Sequence, residues 1–75
     1  MLSPNPAKEQ VMIQSVAAMR NIILRDISGR LVHSEKMNDI KQYHLQVNHL
    51  SSGVYLLQID GANGVESKRL IINRN

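Results

Sequence analysis

No cysteine occurs in the 75 residues, so neither a disulfide framework nor a thiolate metal site can brace the chain, and packing alone must hold it. Tryptophan and phenylalanine are absent too, which leaves Tyr43 and Tyr55 as the large rings. Proteins that read RNA or single strands stack bases on several exposed rings, and two tyrosines do not supply them. No apolar run exceeds four residues, whereas a membrane-crossing helix needs about 20. Residues 1–3 run into Pro4 with neither the basic start nor the apolar stretch of a signal peptide. Ser3-Pro4-Asn5-Pro6 reads as linker, so the chain is expected to be a piece of a longer protein. Residues 1–3 would then be linker or an expression scar, and 4–75 the domain.

Hydrophobic residues make up 43% and charged ones 20%, the balance of an ordinary folded domain. At this length one core is all the chain can bury, so a single domain is expected. Net charge is +3. Through Glu66 six basic side chains cancel six acidic ones, and the excess lies in Lys68, Arg69 and Arg74. A basic last strand has two readings: lysine and arginine blunt an exposed sheet edge, or they give selectivity to a partner that adds a strand there. A pI near 9.7 raises nucleic acid as a partner. Phosphate tracking needs a basic stripe and sequence readout needs a helix or ribbon; neither is visible, and no nucleic-acid partner is expected.

Apolar residues recur with period two through most of the chain, the pattern of half-buried strands. In 42–50, Tyr43, Leu45 and Val47 alternate with His44, Gln46 and Asn48. In 54–60, Tyr55, Leu57 and Ile59 share one face while Val54 and Leu56 make the other partly apolar, as in a central strand. Residues 20–27 carry Ile22, Ile23, Leu24 and Ile27 and are strand-like. Further strands are expected at 10–14, 30–35 and 66–73. Asp26-Ile27-Ser28-Gly29 has the chemistry of a type I turn ended by a left-handed glycine. Gly61-Ala62-Asn63-Gly64 is a second hairpin signal and Asn38-Asp39 a weaker one. Short strands joined by turns predict an antiparallel sandwich or small barrel, with Ile22, Leu24, Leu45, Val47, Tyr55, Leu57 and Ile59 in its core. Residues 16–19 read as a connection. Residues 37–40 read as another, across which strands exchanged between two copies would give a homodimer.

Chemistry is harder to place. His33, His44 and His49 invite a metal, but their spacing forms no tight pair and no cysteine joins them, so solvated surface histidines are expected. The serines sit in turns without a nucleophile elbow, and the four glycines follow no strand, loop and helix order of a phosphate site. No catalysis, metal or cofactor is expected.

Four segments nevertheless stand in a telling order: Pro4-Asn5-Pro6-Ala7, then Ile22-Ile23-Leu24-Arg25-Asp26-Ile27-Ser28-Gly29-Arg30-Leu31-Val32, then Leu50-Ser51-Ser52-Gly53-Val54-Tyr55-Leu56-Leu57-Gln58-Ile59, and last Lys68-Arg69-Leu70-Ile71-Ile72. Together they resemble the C-terminal sorting domain of type IX secretion (Por secretion system) cargo. The resemblance covers 4–75 and departs at Ser3, where that family often has an aromatic residue.

The resemblance implies an antiparallel immunoglobulin-like β-sandwich of about seven short strands, ending an exported protein of a Gram-negative bacterium. Such a domain passes through the periplasm to the outer membrane, and the cargo ends at the cell surface or is secreted. The implied partners are the outer-membrane translocon and a sortase-like cysteine peptidase, which removes the domain while joining the cargo to anionic lipopolysaccharide. Recognition is expected at Gly53, Val54 and Tyr55 and, on the last strand, at Lys68, Arg69 and Leu70. The alternative is a retained binding module whose basic C-terminal strand holds lipopolysaccharide or another anionic glycan; a third is a plain structural spacer.

Overall fold

Alternating apolar residues do build antiparallel strands, but fewer and longer ones than expected. The computed structural model describes residues 2–3 and 9–73; the Pro4-Asn5-Pro6-Ala7 opening, Lys8 and Arg74 lie outside the described residues. Among the described residues five strands form one sheet: β1 (Leu2–Ser3), β2 (Gln10–Asp26), β3 (Leu31–Gln46), β4 (Gly53–Gly61) and β5 (Gly64–Ile72). The all-β antiparallel class is as expected, with five strands in one hydrogen-bonded sheet where about seven in an immunoglobulin-like sandwich were expected. Leu2 and Ser3, expected as linker, pair with Ile13 and Met12.

The difference lies in two long strands. β2 has 17 residues and β3 has 16, and each absorbs a segment expected as a connection: 16–19 lies within β2 and 37–40 within β3. Register shifts between Gln14 and Met19 and again between Met19 and Asn21, so the ladder bends without ending. Asp39 takes φ 54°, a left-handed conformation that Asp tolerates; the Asn38-Asp39 turn signal marks a bend inside a strand. That bend is sharp. The Tyr43 hydroxyl donates to Glu35 Oε2, yet eight residues of straight strand would separate the two by about 26 Å. Met37, between them, is buried. Since 37–40 is strand, the connection on which strand exchange was to turn is not one.

β2 organises the sheet, with β3 along one edge, β1 and then β4 along the other, and β5 beyond β4. The bends turn one apolar face in on itself. Val11, Ile13, Leu45 and Val47 from one end are as fully buried as Leu24, Leu57 and Leu70 from the other. No helix is present among the described residues to cover them, so the two halves of the sheet cover each other. Every residue expected in the core is buried, and Val11, Ile13, Met19, Met37, Leu50, Leu70 and Ile72 join them. Full burial of one Leu or Ile side chain contributes about 1.5–3 kcal/mol. A surface ion pair such as Arg20–Asp39, at 3.7 Å, contributes about 0–1 kcal/mol, so the fold rests on the cluster.

Both expected hairpin turns form. Asp26 Oδ1 accepts from Ser28 N at 3.0 Å, Ser28 Oγ at 2.6 Å and Arg30 N at 3.0 Å, and Gly29 takes φ 93°. The bond from the Ser28 hydroxyl, with help from the backbone N–H groups of Arg30 and Ser28, holds the Asp26 carboxyl below its ordinary value. Gly61 pairs with Gly64 across Ala62-Asn63. Gly61 has a further reason to be glycine: a Cβ there would lie 2.8 Å from the Ala18 carbonyl oxygen, which accepts from Ala62 N at 3.0 Å.

Candidate recognition site on β4 and β5

β4 lies between β2 and β5, so its residues have neighbours on both sides. Tyr55 stands opposite Asp26 and Leu70, Leu57 opposite Leu24 and Lys68, and Leu56 opposite Arg25 and Arg69. Gly53 and Val54 stand opposite Ile72 and Ile71. The register thus brings all the expected recognition residues onto one pair of strands.

They do not share a face. Side chains alternate along a strand, so Tyr55 and Leu70 are buried while Val54 is exposed. The Tyr55 hydroxyl donates to the Ser51 carbonyl at 2.8 Å, and Leu50 beside that corner is buried. Tyr55 therefore fastens the Leu50-Ser51-Ser52-Gly53 corner to the strand it feeds. A Cβ at Gly53 would meet the Tyr55 ring at 3.8 Å, an ordinary contact, so crowding does not require glycine there.

Lys68 and Arg69 separate in the same way. Lys68 aligns with Leu70 and Ile72 on the inner face, at the sheet's border, with its amine 3.6 Å from a Glu66 carboxylate oxygen. Arg69 lies on the outer face. The expected basic pair is not one patch.

The outer face carries something else. Arg25, Leu56 and Arg69 form one row across β2, β4 and β5, and Val54 and Ile71 form the next. Val54, Leu56 and Ile71 are 38%, 46% and 39% exposed, and Ile27 in the adjoining turn is 85% exposed. A shallow concavity there is lined by Arg25, Ile27, Val54, Leu56 and Arg69 among others. The sequence reading missed Arg25, Ile27, Leu56 and Ile71 as a group. The available signal was the apolar character of both faces in 54–57, which predicts two-sided burial; the structure leaves the outer side open.

Compared with known families, residues 2–73 match the secretion system C-terminal sorting domain. The chain belongs to this family. No curated protein and no solved structure matches it. The match takes in all five strands, so the folded sheet as a whole is the sorting domain. It is a C-terminal sorting signal for type IX secretion, which means export across the outer membrane to the cell surface or medium and contact with the type IX machinery.

One polar cluster of the sorting domain lies on the inner side of β3, away from β5. His33 Nε2 is 3.1 Å from Glu35 Oε1, and the His49 ring stands edge-on to His33 with centroids 6.4 Å apart. His44 and His49 are exposed as expected, whereas His33 is half-buried and paired. The Tyr43 hydrogen bond, and after it the one from His33, holds the Glu35 carboxyl below its ordinary value. The same contact pushes the Tyr43 hydroxyl up from 10.0 to about 12. Among the described residues no three His, Asp or Glu side chains group as metal ligands; the cluster fastens the β3 bend.

Proposed function

We propose that this sorting domain is a signal and not a catalyst. It ends a cargo protein, directs it from the periplasm to the outer-membrane translocon, and is then removed by a sortase-like cysteine peptidase that joins the cargo to anionic lipopolysaccharide. The family match across residues 2–73 carries this reading. The pairing of Gly53, Val54 and Tyr55 with Ile72, Ile71 and Leu70 supports it, since it sets the two ends of the β4–β5 hairpin side by side. Retention as a glycan-binding module fits less well. That reading places the anionic glycan on the basic last strand, and there Lys68 and Arg69 lie on opposite faces.

Fusing residues 1–75 to the C-terminus of a reporter with its own signal peptide tests the proposal in a bacterium that has type IX secretion. The reporter is expected at the surface or in the medium, with the domain missing from its mature mass, and in the periplasm when the translocon is deleted. Periplasmic retention in both strains rejects sorting. Delivery with the domain still attached rejects the cleavage step alone.

A further inference from the structure

Toward the β4–β5 turn the outer face changes from apolar to polar. One row sets Lys36, Asn21, Asp60 and Val65 side by side across β3, β2, β4 and β5, and the row before it sets Ser34, Ile23, Gln58 and Ser67. Asn21, Ser34, Lys36, Gln58 and Asp60 line a shallow concavity together with half-buried Ile23. Glu35, which also borders it, is engaged by His33 and Tyr43. Elsewhere on the surface opposite charges are paired: Arg20 with Asp39, Arg30 with Asp26, His33 with Glu35 and Lys68 with Glu66. Among the described residues Lys36 and Asp60 have no ion-pair partner, not even each other, and Asn21, Ser34 and Gln58 make no side-chain hydrogen bond.

Neighbouring strands lie about 4.8 Å apart, so the backbones of Lys36 and Asp60 stand about 10 Å apart with Asn21 midway. A half-turn about an axis through Asn21, normal to the sheet, carries Lys36 onto Asp60 and Asp60 onto Lys36. The row is its own complement. An isologous contact demands that property of a surface, since each residue must meet a second while the second meets the first. We propose that a second copy of the domain docks here, outer face to outer face, with each Lys36 against the Asp60 of the other copy and the two Asn21 amides facing at the axis. An amide carries donors and acceptors, so two can satisfy each other across a two-fold. The folds stay whole, and no strand is exchanged. In the neighbouring row Ser34, Ile23, Gln58 and Ser67 bring no charge against the approach. Other occupants fit less well. Nucleic acid is held by gathered cations, whereas this row sets one cation against one carboxylate. A small ligand is held in a cleft that buries most of its surface among apolar side chains, and this depression is open and polar. Contacts built on exposed ion pairs are weak and transient, so this dimer belongs to high concentration. It involves none of the export machinery and stands or falls apart from the sorting reading.

Sedimentation equilibrium of residues 1–75, in a concentration series reaching the millimolar range, tests the contact, with circular dichroism melts as the check on folding. The parent is expected to pass from monomer toward dimer. Lys36→Glu and Asp60→Lys each put like charges into both symmetric contacts, and each is expected to self-associate on the order of tenfold more weakly. Mixed in equal amounts the two variants are complementary at both contacts, so they should associate with each other at least as well as the parent does with itself. Lys41→Glu, exposed on β3, should leave association unchanged. If a reversal melts early, Lys36→Gln and Asp60→Asn, which remove the charges without inverting them, decide in its place by associating more weakly than the parent. A parent that stays monomeric, folded variants that associate like the parent, or a mixture of the two reversals that associates no better than its components overturns the dimer face.

Discussion

Asp26 and Tyr43 both accept or donate hydrogen bonds that fix a chain reversal, yet only one of them could be read from sequence. Asp26 bonds residues two and four positions on, so the contact is local and its signature, Asp-x-Ser-Gly, is written in consecutive letters. Tyr43 meets Glu35 only because β3 folds back between them, and no spacing rule for a straight strand brings those two together. Their titration makes the contact measurable. Tyr43 is raised to about 12, so its share of stability is present below the ordinary value of 10.0 and is lost as pH rises from there through about 12. Glu35 is lowered, so its share is present above 4.5 and is lost as pH falls through the folded value. NMR of ring-labelled tyrosine should therefore show one ring titrating near pH 12, returning toward 10 in Glu35→Gln. A Tyr43 midpoint near 10 in the unaltered domain would mean that the hydroxyl does not reach Glu35.

At the scale of the element, period-two alternation located the strands and glycine-bearing turns located both hairpins. The bends inside β2 and β3 were illegible for a physical reason. A bulge keeps hydrogen bonding to the partner strand while shifting register, and Ser15-Val16-Ala17-Ala18-Met19 contains no residue that would end or announce it. In β3 the opposite happened: Asn38-Asp39 has turn residues, and Asp39 does adopt a turn-like φ, but pairing resumes on both sides. The glycines divide along similar lines. Gly29 needs its positive φ of 93° and has open space around a Cβ, whereas Gly61 needs the space, with the Ala18 carbonyl 2.8 Å away. Substituting each separates the two causes. Gly29→Ala should cost about 1–2 kcal/mol from the left-handed backbone alone, and Gly29→Asn should recover part of it because Asn tolerates that conformation. Gly61→Ala should cost about 1–3 kcal/mol as backbone overpacking, and Gly61→Asn should be worse, not better. Urea denaturation of the four variants distinguishes these orders; recovery at position 61 by Asn would show that backbone angle, not the β2 carbonyl, governs it.

For the whole molecule, folding and recognition draw on the same two strands, and that coupling decides which experiments are informative. The Gly-Val-Tyr motif and the basic segment were legible as short strings, but which of their side chains face inward depends on register with β2 and was not. Tyr55 and Leu70 belong to the core, so deleting residues 68–75 would strip Leu70 and Ile72 from it and abolish export through unfolding, whatever the machinery reads. Leu57 gives the cleaner measure. It is fully buried between Leu24 and Lys68, and Leu57→Ala should cost about 2–5 kcal/mol, as much as the roughly 3–5 kcal/mol that a core this small supplies without cysteines or metal. The variant should lose its cooperative melt at growth temperature, and its reporter should stay in the periplasm there. Cooling bacteria into a range where the purified variant regains its fold should restore delivery, because a substitution on the inner face leaves the exposed surface chemically intact. Delivery that stays absent once the fold has returned would mean that Leu57 itself is read, and delivery at full level from the unfolded variant would mean that the signal is a linear string rather than a folded surface.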